Sequence, residues 1–136
     1  MSYPISGLTC LGPNVAKMLK SVGIRTTEKL LEAAKNPRGR KELASNTGYD
    51  EAQILRWANL ADRMRIKGVG EPYAELLRVV GVDTIRELKF RNPGNLAKAM
   101  AEANVKRKLV RILPSEKLVG RWIEIARKLP PKITYR

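Results

Sequence analysis

The sequence predicts an all-α protein built from two pseudo-repeats of short helices that share one core. A unit recurs along the chain, apolar residues fall at helical spacing inside each copy, and no stretch alternates as a strand would. Aligning Leu8-Thr9-Cys10-Leu11-Gly12 with Ile66-Lys67-Gly68-Val69-Gly70 sets an offset of 58 residues. Ala16 then meets Ala74, Leu19 meets Leu77, Val22-Gly23-Ile24 meets Val80-Gly81-Val82, and Thr26 meets Thr84. Further on, Asn36-Pro37 matches Asn92-Pro93 at an offset of 56, and Arg56-Trp57 matches Arg121-Trp122 at 65. The repeats are read as 1–62 and 63–131, forming one compact domain, with 132–136 as an extended, mobile tail.

The elements follow in order. Val15, Met18, Leu19 and Val22 make one helical face, and Gly23 stops that helix. Thr26 or Thr27 caps a second helix through Leu30, Leu31 and Ala34. Pro37 opens a third, with Leu43 and Ala44 on its apolar side. Asp50 caps a fourth carrying Ile54, Trp57, Ala58 and Ala61. The second copy repeats the scheme with Tyr73, Leu76, Leu77 and Val80, then Ile85 and Leu88, then Leu96 and Met100. Ser115 caps the last helix, which carries Leu118, Trp122, Ile125 and Leu129. Leu109–Leu113 is too short for a strand, follows a Lys/Arg run and is read as helical or irregular. The total is eight or nine short helices.

Composition sets the function classes. The 136 residues include 27 Lys/Arg against 13 Asp/Glu, a net charge of +14. Such a balance points to a polyanionic partner. Residues 1–62 hold nine Lys/Arg and six Asp/Glu, a net of +3, leaving +11 for 63–136. There is no His and one Cys, so imidazole chemistry, an intrachain disulfide and a Cys/His zinc cluster are excluded. No acids pair as a catalytic dyad or a two-metal site, and Glu28 and Glu32 read as a solvated helix face. The expectation is a non-enzymatic protein without a small-molecule substrate. No apolar run reaches the ~20 residues of a membrane span, so no membrane partner is expected and the location is read as cytoplasmic.

The informative element is Ile66-Lys67-Gly68-Val69-Gly70-Glu71-Pro72-Tyr73-Ala74. A helix ends near Met64 and another starts near Pro72. The two glycines permit a tight connection with unusual backbone angles and let a ligand approach the main chain. The following helix starts with unpaired N–H groups and a positive dipole end, which together suit an anion. Cys10-Leu11-Gly12-Pro13-Asn14-Val15-Ala16 offers the same design in the first copy.

These residues resemble the helix-hairpin-helix family, whose pattern is apolar-Gly-apolar-Gly followed by a helix with Ala at its fourth position. Gly68-Val69-Gly70 through Ala74, Leu76 and Leu77 fits the pattern, and the first copy fits from Leu11 onward with Cys10 in place of the first Gly. The whole chain, roughly residues 5–131, is similar to a small stand-alone family of unknown function built from two such units. The resemblance implies largely sequence-independent binding of double-stranded DNA, with hairpin N–H groups on phosphate oxygens. Carried over, the donors are the backbones of Cys10, Gly12, Asn14 and Val15, and of Gly68, Gly70 and Tyr73. It also implies that a hairpin can hold a monovalent cation; no other cofactor is expected.

Side chains add to the expected interface. Lys17 and Lys20 flank the first connection, with no acid between Met1 and Thr27. Arg65 and Lys67, with Arg63, flank the second, where Glu71 and Glu75 put carboxylates near the helix start and Pro72 removes a donor. Charge favours the first connection and pattern favours the second. Basic runs at Lys35-Arg38-Arg40-Lys41, Arg86-Lys89-Arg91 and Lys106-Arg107-Lys108-Arg111 are each either solvated faces or phosphate contacts. Trp57 and Trp122 read as core, and so does Tyr73, although its hydroxyl could reach a phosphate. Cys10 is either a redox-sensitive thiol or a small packed residue. The glycines alone could also serve close helix packing. The alternatives to duplex DNA are RNA and a nucleic-acid-processing protein as partner; with DNA the location would be the nucleoid.

Overall fold

Capping side chains start most of the helices. The computed structural model describes residues 2–136. Its helices are α1 Pro13–Ser21, α2 Thr27–Ala34, α3 Pro37–Thr47, α4 Glu51–Arg63, α5 Glu71–Val79, α6 Ile85–Lys89, α7 Pro93–Arg107 and α8 Glu116–Lys128, preceded by a 3-10 turn at Ile5–Gly7. Thr26, Asn36, Asn92 and Ser115 each accept a backbone N–H at the start of α2, α3, α7 and α8. Thr84 and Glu87 form a reciprocal capping box on α6. Asp50 accepts the Ala52 N–H at 2.9 Å at the start of α4. Gly23 (φ 88°) and Gly81 (φ 92°) terminate α1 and α5 in the left-handed region. The architecture is all-helical, with no strand among the described residues.

The chain divides into two compact units: 1–62 together with 131–136, and 63–130. In the first unit, α2 packs on α3. Ile5, Leu19, Leu30 and Ile54 are completely buried. Met18, placed on the apolar face by its spacing, instead stays 36% exposed at the edge of that face. Tyr3, Ile5, Arg25 and Thr27 lace the N-terminal segment to the chain leading into α2 through main-chain bonds of 2.8–2.9 Å. Gly39 is required by close packing: a Cβ there would lie 2.2 Å from the Ala33 carbonyl oxygen.

The tail that sequence leaves mobile is pinned in this unit. The Thr134 N–H donates to the Lys35 carbonyl at 2.7 Å. Arg40, counted among the basic runs, is buried; its guanidinium donates to the Ala34 and Thr134 carbonyls at 2.9 and 2.8 Å. Lys132 and Lys35 both pair with Glu32, at 2.9 and 2.6 Å. These two lysines hold the exposed Glu32 carboxyl down at about 2, chiefly by hydrogen bonding and then by charge.

In the second unit, α7 and α6 pack on α8, and α5 on α7. Leu76, Leu77, Leu88, Leu96, Met100 and Trp122 are completely buried. Trp122 is core, as its helical spacing predicts, whereas Trp57 in the first unit is half-buried with its ring edge-on to Tyr49 at 5.2 Å. Residues 109–113 are irregular rather than helical. α7 ends at Lys108, which adopts the left-handed conformation (φ 51°, ψ 41°) and donates its N–H to Asn104.

Candidate functional site

In the first unit the site is the start of α1. Leu11 is buried and anchors the turn from below, while Cys10 and Asn14 are exposed. Gly12 sits at φ 81°, ψ 159°, a conformation that a side chain strongly disfavours. Its N–H is turned inward onto the Thr9 carbonyl at 3.3 Å, so this expected phosphate donor is engaged within the loop. Pro13 occupies the first helical position and has no N–H. That leaves Asn14 and Val15, whose backbone N–H groups have no protein acceptor among the described residues. Lys17 is exposed and Lys20 half-buried on the same helix, whose first turn carries no acid. The result is a helix start with two unspent donors and Lys17 one turn along, while Lys20 stands in the last turn of the helix.

In the second unit the site is the Ile66–Gly70 connection. Ile66 and Val69 are fully buried, and the Val69 N–H closes a turn on the Ile66 carbonyl at 3.0 Å. Lys67 and Gly68 form the exposed corner of that turn. Gly68 has φ 93°, the third turn position that glycine fills without strain. A Cβ on Gly68 would lie 3.5 Å from Nε1 of Trp122, a buried indole nitrogen that has no hydrogen-bond partner among the described residues. Gly70 differs from expectation. Its φ of −83° and ψ of −175° are ordinary extended backbone, and a Cβ would meet only Pro72 Cδ at 3.9 Å. Intramolecular geometry therefore does not call for glycine at 70.

The donors at this helix start are equally defined. Pro72 contributes none. The N–H groups of Gly68, Gly70 and Tyr73 have no protein acceptor among the described residues, and the helical ladder begins with Ala74 donating to Gly70 at 2.9 Å. The carboxylate of Glu75 is paired with Arg78 at 2.8 Å, which offsets its charge near the donors.

Other expected residues take different roles. Arg63 does not reach the surface: it is 1% exposed, and its guanidinium donates to the Ala74 carbonyl at 3.1 Å and the Asp83 carbonyl at 2.6 Å. It braces the start of α5 rather than offering charge to a ligand. Arg65 is half-buried and reaches the Pro130 carbonyl at 3.3 Å. Tyr73 lies against Trp122 with ring centroids 5.3 Å apart, and its hydroxyl donates to the Ile112 carbonyl at 2.7 Å. That hydroxyl is committed to the chain and not to a phosphate. Lys106, Arg107 and Lys108 are all exposed at the end of α7.

The structure thus gathers Cys10, Gly12, Asn14, Val15 and Lys17 around one helix start, leaves Lys20 in the last turn of that helix, and gathers Arg65, Lys67, Gly68, Gly70 and Tyr73 at another. Sequence reasoning missed Asn104 and Ile112, which join the loop after α7 to its surroundings. The one signal available was the short stretch Leu109–Leu113, aliphatic except for Arg111 and placed directly after the three cations Lys106-Arg107-Lys108.

A basic, all-helical chain with unspent main-chain donors at two helix starts is the class that this geometry defines. The chain belongs to the domain of unknown function family DUF4332, which matches residues 9–129. No curated protein and no solved structure matches it. No helix among the described residues is long and apolar enough to cross a membrane.

Proposed function

We propose that this protein binds double-stranded DNA without catalysis and largely without sequence preference, through two helix-hairpin-helix units related by the internal repeat. The observation that carries the reading is the pair of glycine turns, each delivering a helix start with unspent N–H groups: Asn14 and Val15 in one unit, Gly70 and Tyr73 in the other. Such groups bind phosphate oxygens with the helix dipole behind them. Contacts of this kind set register on the duplex and leave base identity unread. The +14 net charge adds long-range attraction.

Lys17 supplies charge near the first helix start and Lys67 does so at the second, with Lys20 farther along α1. The open space around Gly70 supports the same reading, because a phosphate can approach its main chain where a side chain would otherwise stand. Fluorescence anisotropy of a labelled duplex against salt tests it. Neutralising about five phosphates gives a slope near −4 to −5 on logarithmic axes. Gly12→Glu and Gly70→Glu are expected to bind far more weakly, with circular dichroism checking that each is folded. Salt-independent affinity, or affinity unchanged in both variants, would refute the mechanism.

A further inference from the structure

The last turn of α7 and the loop from it to α8 carry features that the phosphate contacts leave unused. Val105 and Ile112 are each 75% exposed, Leu113 is 46% exposed and Leu109 36%. Interleaved with them are the exposed cations Lys106, Arg107, Lys108 and Arg111, and no acid lies between Ala103 and Ser115. A cluster of solvent-facing aliphatic side chains marks a contact surface.

This loop is built, not slack. The Asn104 side chain accepts the Leu109 N–H at 2.8 Å and the Val110 N–H at 3.1 Å, and donates to the Val110 carbonyl at 3.0 Å. Tyr73 holds the Ile112 carbonyl at 2.7 Å. Lys108 keeps a cation at the left-handed position where glycine is the unstrained choice. Side-chain bonds therefore fix a loop that presents its aliphatic groups outward. Tyr73 also stands in the first turn of α5, beside the Gly70 and Tyr73 N–H donors, so the loop is tied to the proposed phosphate site within one unit.

Charge complementarity selects a polyanion, and the aliphatic side chains require an apolar slot inside it. Duplex DNA supplies both, since base steps open to apolar wedges between flanking phosphates. A rigid tether between loop and donors suits a partner with fixed phosphate spacing; a fluid anionic bilayer makes no such demand. We propose that Ile112, with Leu113 beside it, is a wedge that enters a base step from the minor groove and bends the duplex, while Lys106, Arg107, Lys108 and Arg111 hold the flanking phosphates. The proposal rests on the DNA-binding reading above.

A duplex of about 25 base pairs with a central TA step, which kinks easily, tests it. Energy transfer between end labels reads bending, 2-aminopurine at the step reads unstacking, and anisotropy reads binding. Wild type is expected to raise both the transfer and the 2-aminopurine emission. Ile112→Ala with Leu113→Ala is expected to bind roughly tenfold more weakly, with neither signal and with an unchanged salt slope, because no charge is lost. A bound but unbent duplex, or bending retained in the variant, overturns the wedge and leaves phosphate binding standing. Absence of duplex binding at low salt overturns both. Wild-type flotation with phosphatidylserine vesicles that is lost in the variant, alongside an unbent duplex, reassigns the loop to a membrane surface.

Discussion

Alanine at the two glycines of the Lys67–Gly70 connection separates a folding role from a binding role. Gly68 has φ 93°, where a Cβ costs about 1–2 kcal/mol. The new methyl would stand 3.5 Å from Trp122 Nε1, an ordinary contact that adds little. The reduced freedom of the unfolded chain returns about 0.4–1 kcal/mol. Gly68→Ala should therefore lose about 1 kcal/mol, or roughly 3–6 °C in Tm. Gly70 has φ −83° and ψ −175°, with Pro72 Cδ the nearest neighbour at 3.9 Å. Gly70→Ala should hold or slightly raise Tm, by the same unfolded-state effect. Its methyl nevertheless stands where a phosphate would approach. Weakening one charge-assisted N–H contact, worth about 1.5 kcal/mol, lowers duplex affinity about tenfold. Differential scanning fluorimetry and anisotropy on both variants give the comparison. A Gly70→Ala protein that is both fully stable and unimpaired in binding would refute phosphate approach at that main chain. An unfolded Gly70→Ala would refute the packing described here.

Two further outcomes follow from the first unit. Gly39→Ala drives a Cβ to 2.2 Å from the Ala33 carbonyl oxygen, a backbone atom that yields only if α2 and α3 move apart. A loss of about 1–3 kcal/mol is expected in urea melts, and a variant as stable as wild type would show that the two helices do not meet as described. Glu32 should titrate near 2 by NMR, below its ordinary 4.5, because Lys35 and Lys132 hold its ionised form. Since the folded value is the lower one, its contribution to stability is present above about 4.5 and is lost as pH falls from there toward 2. Lys132→Ala should move the midpoint back up, and an unmoved midpoint would show that the tail lysine does not reach Glu32.

What sequence made legible was local. Thr26, Asp50 and Ser115 announce helix starts because a cap needs only its own next few residues, and Pro37 announces another because it suits a first turn. Gly23 and Gly81 announce ends for the same reason. The periodic apolar faces located Leu19, Leu77 and Trp122 in the interior. Arginine roles were not legible: Arg40 and Arg63 look like solvated charge in a basic chain, yet each is buried against carbonyls that lie elsewhere in sequence, Thr134 and Asp83 among them. Gly70 shared a motif with Gly68, but only Gly68 takes the left-handed conformation. The loop at 109–113 depends on Asn104 and Tyr73, and no spacing rule connects those positions.

The division of the chain has a consequence for how the molecule is made. Residues 63–130 form one unit, whereas the other is assembled from 1–62 and 131–136. On the ribosome, the unit whose synthesis begins first is finished last. Arg40 must wait for Thr134 before its guanidinium has that carbonyl to bond, and the Lys35 carbonyl waits for the same residue. Domains usually fold in the order in which they emerge. Here the later-made unit can close while the earlier one still lacks its last segment. A chain truncated after residue 130 would therefore keep every residue of the second unit while its first unit lacked the closing segment.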